Sequence, residues 1–251
     1  MPFRKSLLIL LMSTLLIGSS CKKKNSSTST NVSSTTSTEE TGVEKVKPAA
    51  GTGNVQGKVF YNSKPAANIE VKLCETFSRF LSGCGGKTYT AKTDNDGIFV
   101  IANVPPKTYE GLIAMVFDTD SYIFITTGFA GISAAKYDVE SDKTLFVKTV
   151  HIFKSDLKLL NPKAGDKVST KNLEMKWEAY PDAAYYKMSI NANDHQVTSP
   201  YINKRIDGTS FTLDTPLQKG VYRWKVEAYN SDDRKITESG DDIEFTITDG
   251  A

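Results

Sequence analysis

The chain is predicted to be all-β, with two β-sandwich domains in tandem behind an export signal and a Ser/Thr-rich tether. Three observations predict this. Beyond Val55 the sequence falls into short runs of alternating apolar and polar residues, punctuated by Gly, Pro, Asn and Asp at sandwich-strand spacing. No long amphipathic helix breaks that pattern. About 200 residues remain beyond the tether, enough for two domains of roughly 100 each.

The first 20 residues read as a signal peptide. Arg4 and Lys5 give a basic start, Leu7 to Ile17 form an apolar run, and Gly18-Ser19-Ser20 are small residues that let a peptidase approach the bond before Cys21. The run of eleven residues is too short to span a bilayer, which needs about 20. Gly18 to Cys21 resembles the bacterial lipobox, with Gly18 at the position the pattern gives to an aliphatic residue. That resemblance implies a mature chain beginning at an acylated Cys21; the alternative is an ordinary secretory signal with a free cysteine nearby. Acyl chains at about 0.8 kcal/mol per buried CH₂ would hold the protein on a membrane without a transmembrane helix. Lys22-Lys23-Lys24 then fall at headgroup height, either gaining from anionic lipid or forming a plain solvated run. Losing residues 1–20 removes Arg4, Lys5 and no acid, so 31 basic residues against 29 acidic become 29 against 29. A neutral chain gives no electrostatic case for nucleic acid.

Residues 21–53 are expected to be the tether. Eleven of the thirteen residues from Ser26 to Thr38 are Ser or Thr, and no apolar periodicity precedes Val55. Such a stretch buries too little surface to offset its ordering entropy. As a random coil it spans roughly 30 Å. O-glycosylation and a plain solvated linker both suit the composition.

Residues 54–153 are expected to form the first sandwich. Val55 to Val59 alternates, Lys64-Pro65 marks a turn, and Ile69, Val71 and Leu73 share one face. Asp96-Gly97 favours a hairpin before Phe99 and Ile101, because Gly97 can take positive φ. Gly57, Val59, Pro65, Val71, Leu73, Thr93, Asp94, Gly97, Phe99, Ile101, Pro105, Pro106 and Tyr109 together resemble the carboxypeptidase regulatory-like family, a transthyretin-like sandwich. Lys107 stands where that family has Gly. The resemblance covers residues 54–116 and implies a non-catalytic accessory module. Asp94-Asn95-Asp96 lacks the spaced ligands and terminal Glu of a calcium loop and reads as a turn. Gly111 to Phe117 and Ser121 to Ile125 are apolar on both strand faces, which calls for a second packing partner: the neighbouring domain or another protein.

Cys74 and Cys84 flank nine residues between two strands of an exported protein and are read as a disulfide. The bridge would hold Phe77, Phe80 and Leu81 on a stapled loop, as a candidate partner contact or folded back over the sandwich edge.

Residues 154–251 are expected to form the second sandwich. Leu173, Met175 and Trp177 face one way; Tyr186, Met188 and Ile190 repeat the pattern, then Phe211 and Leu213, then Tyr222, Trp224, Val226 and Ala228, then Ile243, Phe245 and Ile247. With the Asn161-Pro162 opening, Trp177, the Ala184-to-Met188 strand and Leu217-x-x-Gly220-x-Tyr222-x-Trp224, this resembles the fibronectin type III family and its bacterial Ig-like relatives. Trp177, Tyr222 and Trp224 lie on the inward phase and read as core rather than as a sugar platform. Tyr185, Tyr201 and Tyr229 read as outward and are the candidate glycan contacts.

Catalysis needs convergent chemistry, and the sequence offers little. The two histidines, His151 and His195, fall in different expected domains and in no nucleophile or metal motif. No catalytic residue, metal site or cofactor is assigned. The reading is a non-catalytic lipoprotein of the bacterial cell envelope, held on a membrane by its N-terminal lipid and serving as a structural or protein-interaction module. The alternatives are a surface glycan-binding lipoprotein and, further off, an accessory subunit of an exported hydrolase. An outer-membrane or surface location fits better than an inner-membrane one. The sequence names neither the partner nor the oligomeric state.

Overall fold

The computed structural model describes residues 43–78, 83–117, 119–126, 135–194 and 198–249. Among these there is no helix, and 21 strands carry the fold. Cys21, Phe80, Leu81 and His195 lie outside the described residues.

Two apolar clusters organise the chain. The first is built from β1 (Gly53–Tyr61), β2 (Lys64–Pro65), β3 (Glu70–Ser78), β4 (Gly83–Lys92), β5 (Ile98–Val104), β6 (Lys107–Tyr109), β7 (Gly111–Met115), β8 (Tyr122–Phe124), β9 (Tyr137–Val139), β10 (Thr144–Phe146) and β11 (Val150–Ile152). Strand β1 is the organiser. Its first half pairs with β10 in parallel and with β5 antiparallel, and its second half pairs with β11 in parallel and with β2 antiparallel. The facing sheet runs β4-β3-β7-β8, antiparallel throughout. Period-two alternation sends Val55 and Val59 from one sheet against Val71, Leu73, Leu112 and Ala114 from the other, and all six are buried in one cluster. Residue 57 shares that inward phase and is glycine there because a Cβ would come within 2.8 Å of the Phe99 ring and 2.7 Å of Val147. Gly97 takes φ 71° in the Asp94–Gly97 turn, where a Cβ would stand 2.5 Å from the Val59 carbonyl. The expected turn at Lys64-Pro65 falls two residues earlier, at Asn62-Ser63, and Lys64-Pro65 is the returning strand.

The second cluster is built from β12 (Lys154–Leu157), β13 (Leu159–Asn161), β14 (Lys167–Ser169), β15 (Glu174–Trp177), β16 (Tyr185–Ala192), β17 (Lys204–Ile206), β18 (Ser210–Thr212), β19 (Gly220–Tyr229), β20 (Lys235–Ser239) and β21 (Ile243–Asp249). A sheet ordered β13-β15-β18 covers a larger one ordered β12-β20-β19-β16-β17, in which β21 pairs with β19 and β14 with β21. Met175 and Trp177 meet Tyr186, Met188, Ile190, Trp224, Val226 and Phe245 between the layers. Trp177, Tyr222 and Trp224 are almost wholly buried, as their strand phase requires.

Each body carries one tyrosine tied four residues back. Tyr109 donates its hydroxyl to the Pro105 carbonyl at 3.0 Å, and Tyr222 donates to the Gln218 carbonyl at 2.9 Å. The second is the corner geometry of immunoglobulin-like sandwiches. Lys107, two residues before Tyr109, sets its ammonium 5.1 Å from the Tyr109 ring.

Cys74 and Cys84 are disulfide-bonded across the β3–β4 hairpin, with Cα atoms 5.2 Å apart. Phe77 folds back over the sheet, its ring 5.6 Å from Tyr122 and 4.9 Å from Phe124. It also presses on Gly111, where a Cβ would be 2.9 Å from Phe77 Cβ. That aromatic cover accounts for much of the two-faced apolar character of β7 and β8.

Candidate functional site

The feature that distinguishes this molecule is the seam between its two clusters, which is built from a hairpin tip. Asn62 and Ser63 both take positive φ, 50° and 60°, giving a tight two-residue turn at the end of β1. Asn tolerates that region better than most residues, so the turn is made without glycine and keeps a polar side chain at its tip. Asn62 Nδ2 donates to Asp182 Oδ2 at 2.8 Å. In return, Asn230 Nδ2 lies 2.9 Å from Asn62 Oδ1 and 3.0 Å from Ser63 Oγ. Asn230 is itself buried, its Oδ1 accepting the N–H groups of Asp232 at 3.0 Å and Arg234 at 2.9 Å.

Behind the tip, Tyr61 packs against both apolar clusters. Its ring meets Phe117 edge-on at 5.1 Å, and its hydroxyl lies 3.5 Å from that of Tyr180. Lys154, the first residue of β12, sets its ammonium 5.5 Å from the Tyr61 ring and 5.0 Å from the Phe117 ring. Burial and the bond to Tyr61 push the Tyr180 phenol up. Phe117 holds φ 52° to reach this place, an uncommon conformation for a bulky residue. The C-terminal end of the two-faced segment thus packs at the neighbouring body. A cleft of about 400 Å³ opens beside these rings, lined in part by Val116, Phe117, Ser121, Lys154 and Asp156.

The three tyrosines expected to face solvent do not form a free aromatic surface. Tyr201 is 1% exposed. Its hydroxyl lies 2.9 Å from Asp214 Oδ1 and 2.7 Å from the Thr215 carbonyl, and it accepts the Thr215 N–H at 2.6 Å. Tyr185 does stand on the outer phase of β16, yet it is only 4% exposed. The register places it opposite Tyr229, so the rings stack at 5.1 Å and 4°. Arg205 covers Tyr185 at 3.8 Å, and Lys187 lies 4.3 Å from the half-buried Tyr229 ring. The hydroxyls are engaged as well, Tyr185 donating to Asp233 and Tyr229 to Glu227. The faces a sugar ring would need are covered by cations and by each other.

Asp94 and His151, read from the sequence as a turn residue and as no part of a catalytic or metal motif, have local contacts of their own. Asp94 Oδ1 accepts the N–H groups of Asp96 and Ile98 at 3.0 and 2.9 Å, which makes it a turn residue. Among the described residues no three His, Cys, Asp or Glu side chains are grouped to hold a metal ion. His151, on β11, packs 5.7 Å from the Phe60 ring, and burial holds its imidazole below the usual range.

No family model and no curated protein matches the chain. Among solved structures it is similar to a DUF3823 family protein from Bacteroides ovatus, at 9% identity over 78% of this chain and 100% of that one, with a TM-score of 0.27. It is also similar to the fibronectin(III)-like modules of Clostridium thermocellum CbhA, at 15% identity over 80% of this chain and 90% of that one, with a TM-score of 0.29. A third similarity is to a candidate carbohydrate-binding protein from Bacteroides uniformis, at 10% identity over 78% of this chain and 99% of that one, with a TM-score of 0.28. Scores of this size carry no function across, so what the chain does is read from its own residues.

Proposed function

We propose that the chain is a non-catalytic lipoprotein of the bacterial cell envelope, anchored through Cys21, whose two sandwiches act as one structural or protein-interaction module. The observation that carries this reading is the seam. Asn62, Ser63, Tyr61 and Lys154 join the bodies through hydrogen bonds and ring contacts, the arrangement of a spacer that holds its far end in a set orientation. A plain string of independent modules would need none of these contacts. The Tyr222 corner and the two-layer strand order support a fibronectin type III-like second sandwich, and the Gly57 and Gly97 constraints suit a carboxypeptidase regulatory-like first one. The anchor is tested by fractionating cells that express the full chain with Cys21→Ala. The variant should leave the membrane fraction for the soluble one, and retention in the membrane would sink the anchor.

A glycan-binding surface lipoprotein is the second reading. The cleft beside Phe117 favours it, since its volume falls in the range of small-ligand sites and its lining mixes an aromatic ring with an ammonium and a carboxylate. Saturation-transfer NMR with neutral mono- and disaccharides should then give signals that Phe117→Ala removes. Silence across the panel at millimolar sugar would end this reading and leave the spacer standing.

A further inference from the structure

Two residues of β1 break the rule that outward strand positions are exposed. Val55, Gly57 and Val59 point into the first sandwich, so Asn54 and Gln56 point out, yet both are 0% exposed. Residues 43–49 cover them. The Gln56 side-chain amide donates to the Val43 carbonyl at 3.1 Å and accepts the Lys45 N–H at 3.1 Å. It thus addresses residues i and i+2 as the peptide group of a neighbouring strand would. Asn54 Nδ2 donates to the Val46 carbonyl at 2.7 Å, while Asn54 Oδ1 accepts the Asn103 N–H at 3.0 Å. Asn103 Oδ1 in turn accepts the Ala49 N–H at 3.2 Å. Pro48 is buried, Lys45 pairs with Asp94 at 2.5 Å, and Glu44 bonds to Thr144.

We propose that the outer faces of β1 and its neighbour β5, through the amides of Asn54 and Gln56 on the first and Asn103 on the second, are a seat for one peptide backbone, filled by residues 43–49 as a clasp that opens independently of the sandwich. Side-chain amides make the bonds that a strand ladder would otherwise make, and residues 43–47 stay exposed, so little apolar surface resists opening. Recognition runs through main-chain groups, which is how a segment without apolar alternation is held. The clasp grips β1 near its start, and the seam grips it at Asn62, six residues beyond Gln56 and roughly 20 Å along the strand. A pull on the chain before Val43 is therefore delivered to β1, and by β1 to the second body. This inference goes beyond the spacer reading and needs no lipid anchor.

Amide hydrogen exchange on the full chain, read residue by residue by NMR, tests it. The Lys45 and Ala49 amides should be protected about 10- to 1,000-fold over free chain, well below Val59 in β1. Gln56→Ala should strip Lys45 of its protection and leave Val59 and Val71 unchanged. Asn103→Gly keeps the positive φ of 57° at that position and should release Ala49 alone, giving a second readout in an exposed residue should Gln56→Ala unfold. Free exchange at Lys45 and Ala49 in the parent chain would show that the seat is not filled. Protection equal to that of Val59 would show that the segment never opens separately, and either result overturns the proposal.

Discussion

Replacing Asn62 isolates the seam from the rest of the fold. Asn62→Gly keeps the positive φ of the turn at no steric cost and deletes both Asn62 side-chain bonds to the second body, leaving the Ser63 bond to Asn230 in place. One is an exposed bond to the Asp182 carboxylate and the other a part-buried neutral amide bond, so docking should weaken by about 2 kcal/mol. At about 1.4 kcal/mol per factor of ten, the undocked population rises about 30-fold. Asn62→Asp should act more strongly, because a carboxylate then faces Asp182 where an amide donated. The assay is a spin-label distance measurement between the exposed positions Lys92 and Lys219, one in each body, on a Cys21→Ser background with the disulfide intact. The parent should give one narrow distance distribution, the glycine variant a broader one, and the aspartate variant the broadest. Three equally narrow distributions would mean that Asn62 does not hold the bodies together, and the spacer reading would lose its main support.

Tyr222→Phe leaves the Gln218 carbonyl without its donor and should cost about 1–2 kcal/mol, seen as a fall of roughly 2–8 °C in melting temperature. Tyr109→Phe, which frees the Pro105 carbonyl in the same way, should cost the same; a null result for both would deny the corners a role in stability. Cutting the 10-residue separation between Cys74 and Cys84 with Cys74→Ser plus Cys84→Ser should remove roughly 2.5–3 kcal/mol by the loop-entropy relation, measured by urea unfolding at fixed pH. Burial, then the charge of Arg234, hold His151 below its ordinary 6.5, so the folded chain binds fewer protons than the unfolded one just below that value. The contribution is full above about pH 7 and is lost as pH falls through 6.5 towards the lower folded value. His151→Phe should therefore flatten the stability profile as pH falls below about 7, and an unchanged slope would assign it to other groups.

What the sequence made legible follows from how each residue is buried. The second sandwich could be read largely strand by strand because strands such as β15 and β19 keep one wetter face, so Met175 and Trp177 alternate visibly with Glu174 and Lys176. Gly57 and Gly97 were legible through a family pattern, and the structure supplies the clashes that explain them. The tyrosines were not, since period two gives a side chain's phase but not its cross-strand neighbours. Tyr185 is outward and still covered, because the register brings Tyr229 beside it and Arg205 over it. Tyr201 lies outside any strand, so its phase could not be read, and it is buried in the second core against Phe211 with its hydroxyl bonded at Asp214 and Thr215. The clasp was invisible for a related reason. The expected tether runs to residue 53, but residues 43–52 lie against the first body through main-chain groups and polar side chains, which leave no hydropathy signal.

Strand β1 connects these findings mechanically. It pairs with four other strands, which makes it the hardest strand in the first body to displace. At one end it is gripped by a clasp that can open at little cost; at the other its tip is bonded into the second body. Under load the weaker junction yields first, and a few part-buried side-chain hydrogen bonds to a segment that is itself exposed over residues 43–47 yield before a paired central strand. The clasp would then lengthen the tether by several residues before the seam feels strain, leaving the second body in its set orientation while the chain before it gives. A seam that opened before the clasp would reverse this order, and hydrogen exchange at the Lys45 backbone amide compared with the Asn230 side-chain amide in the same sample distinguishes the two.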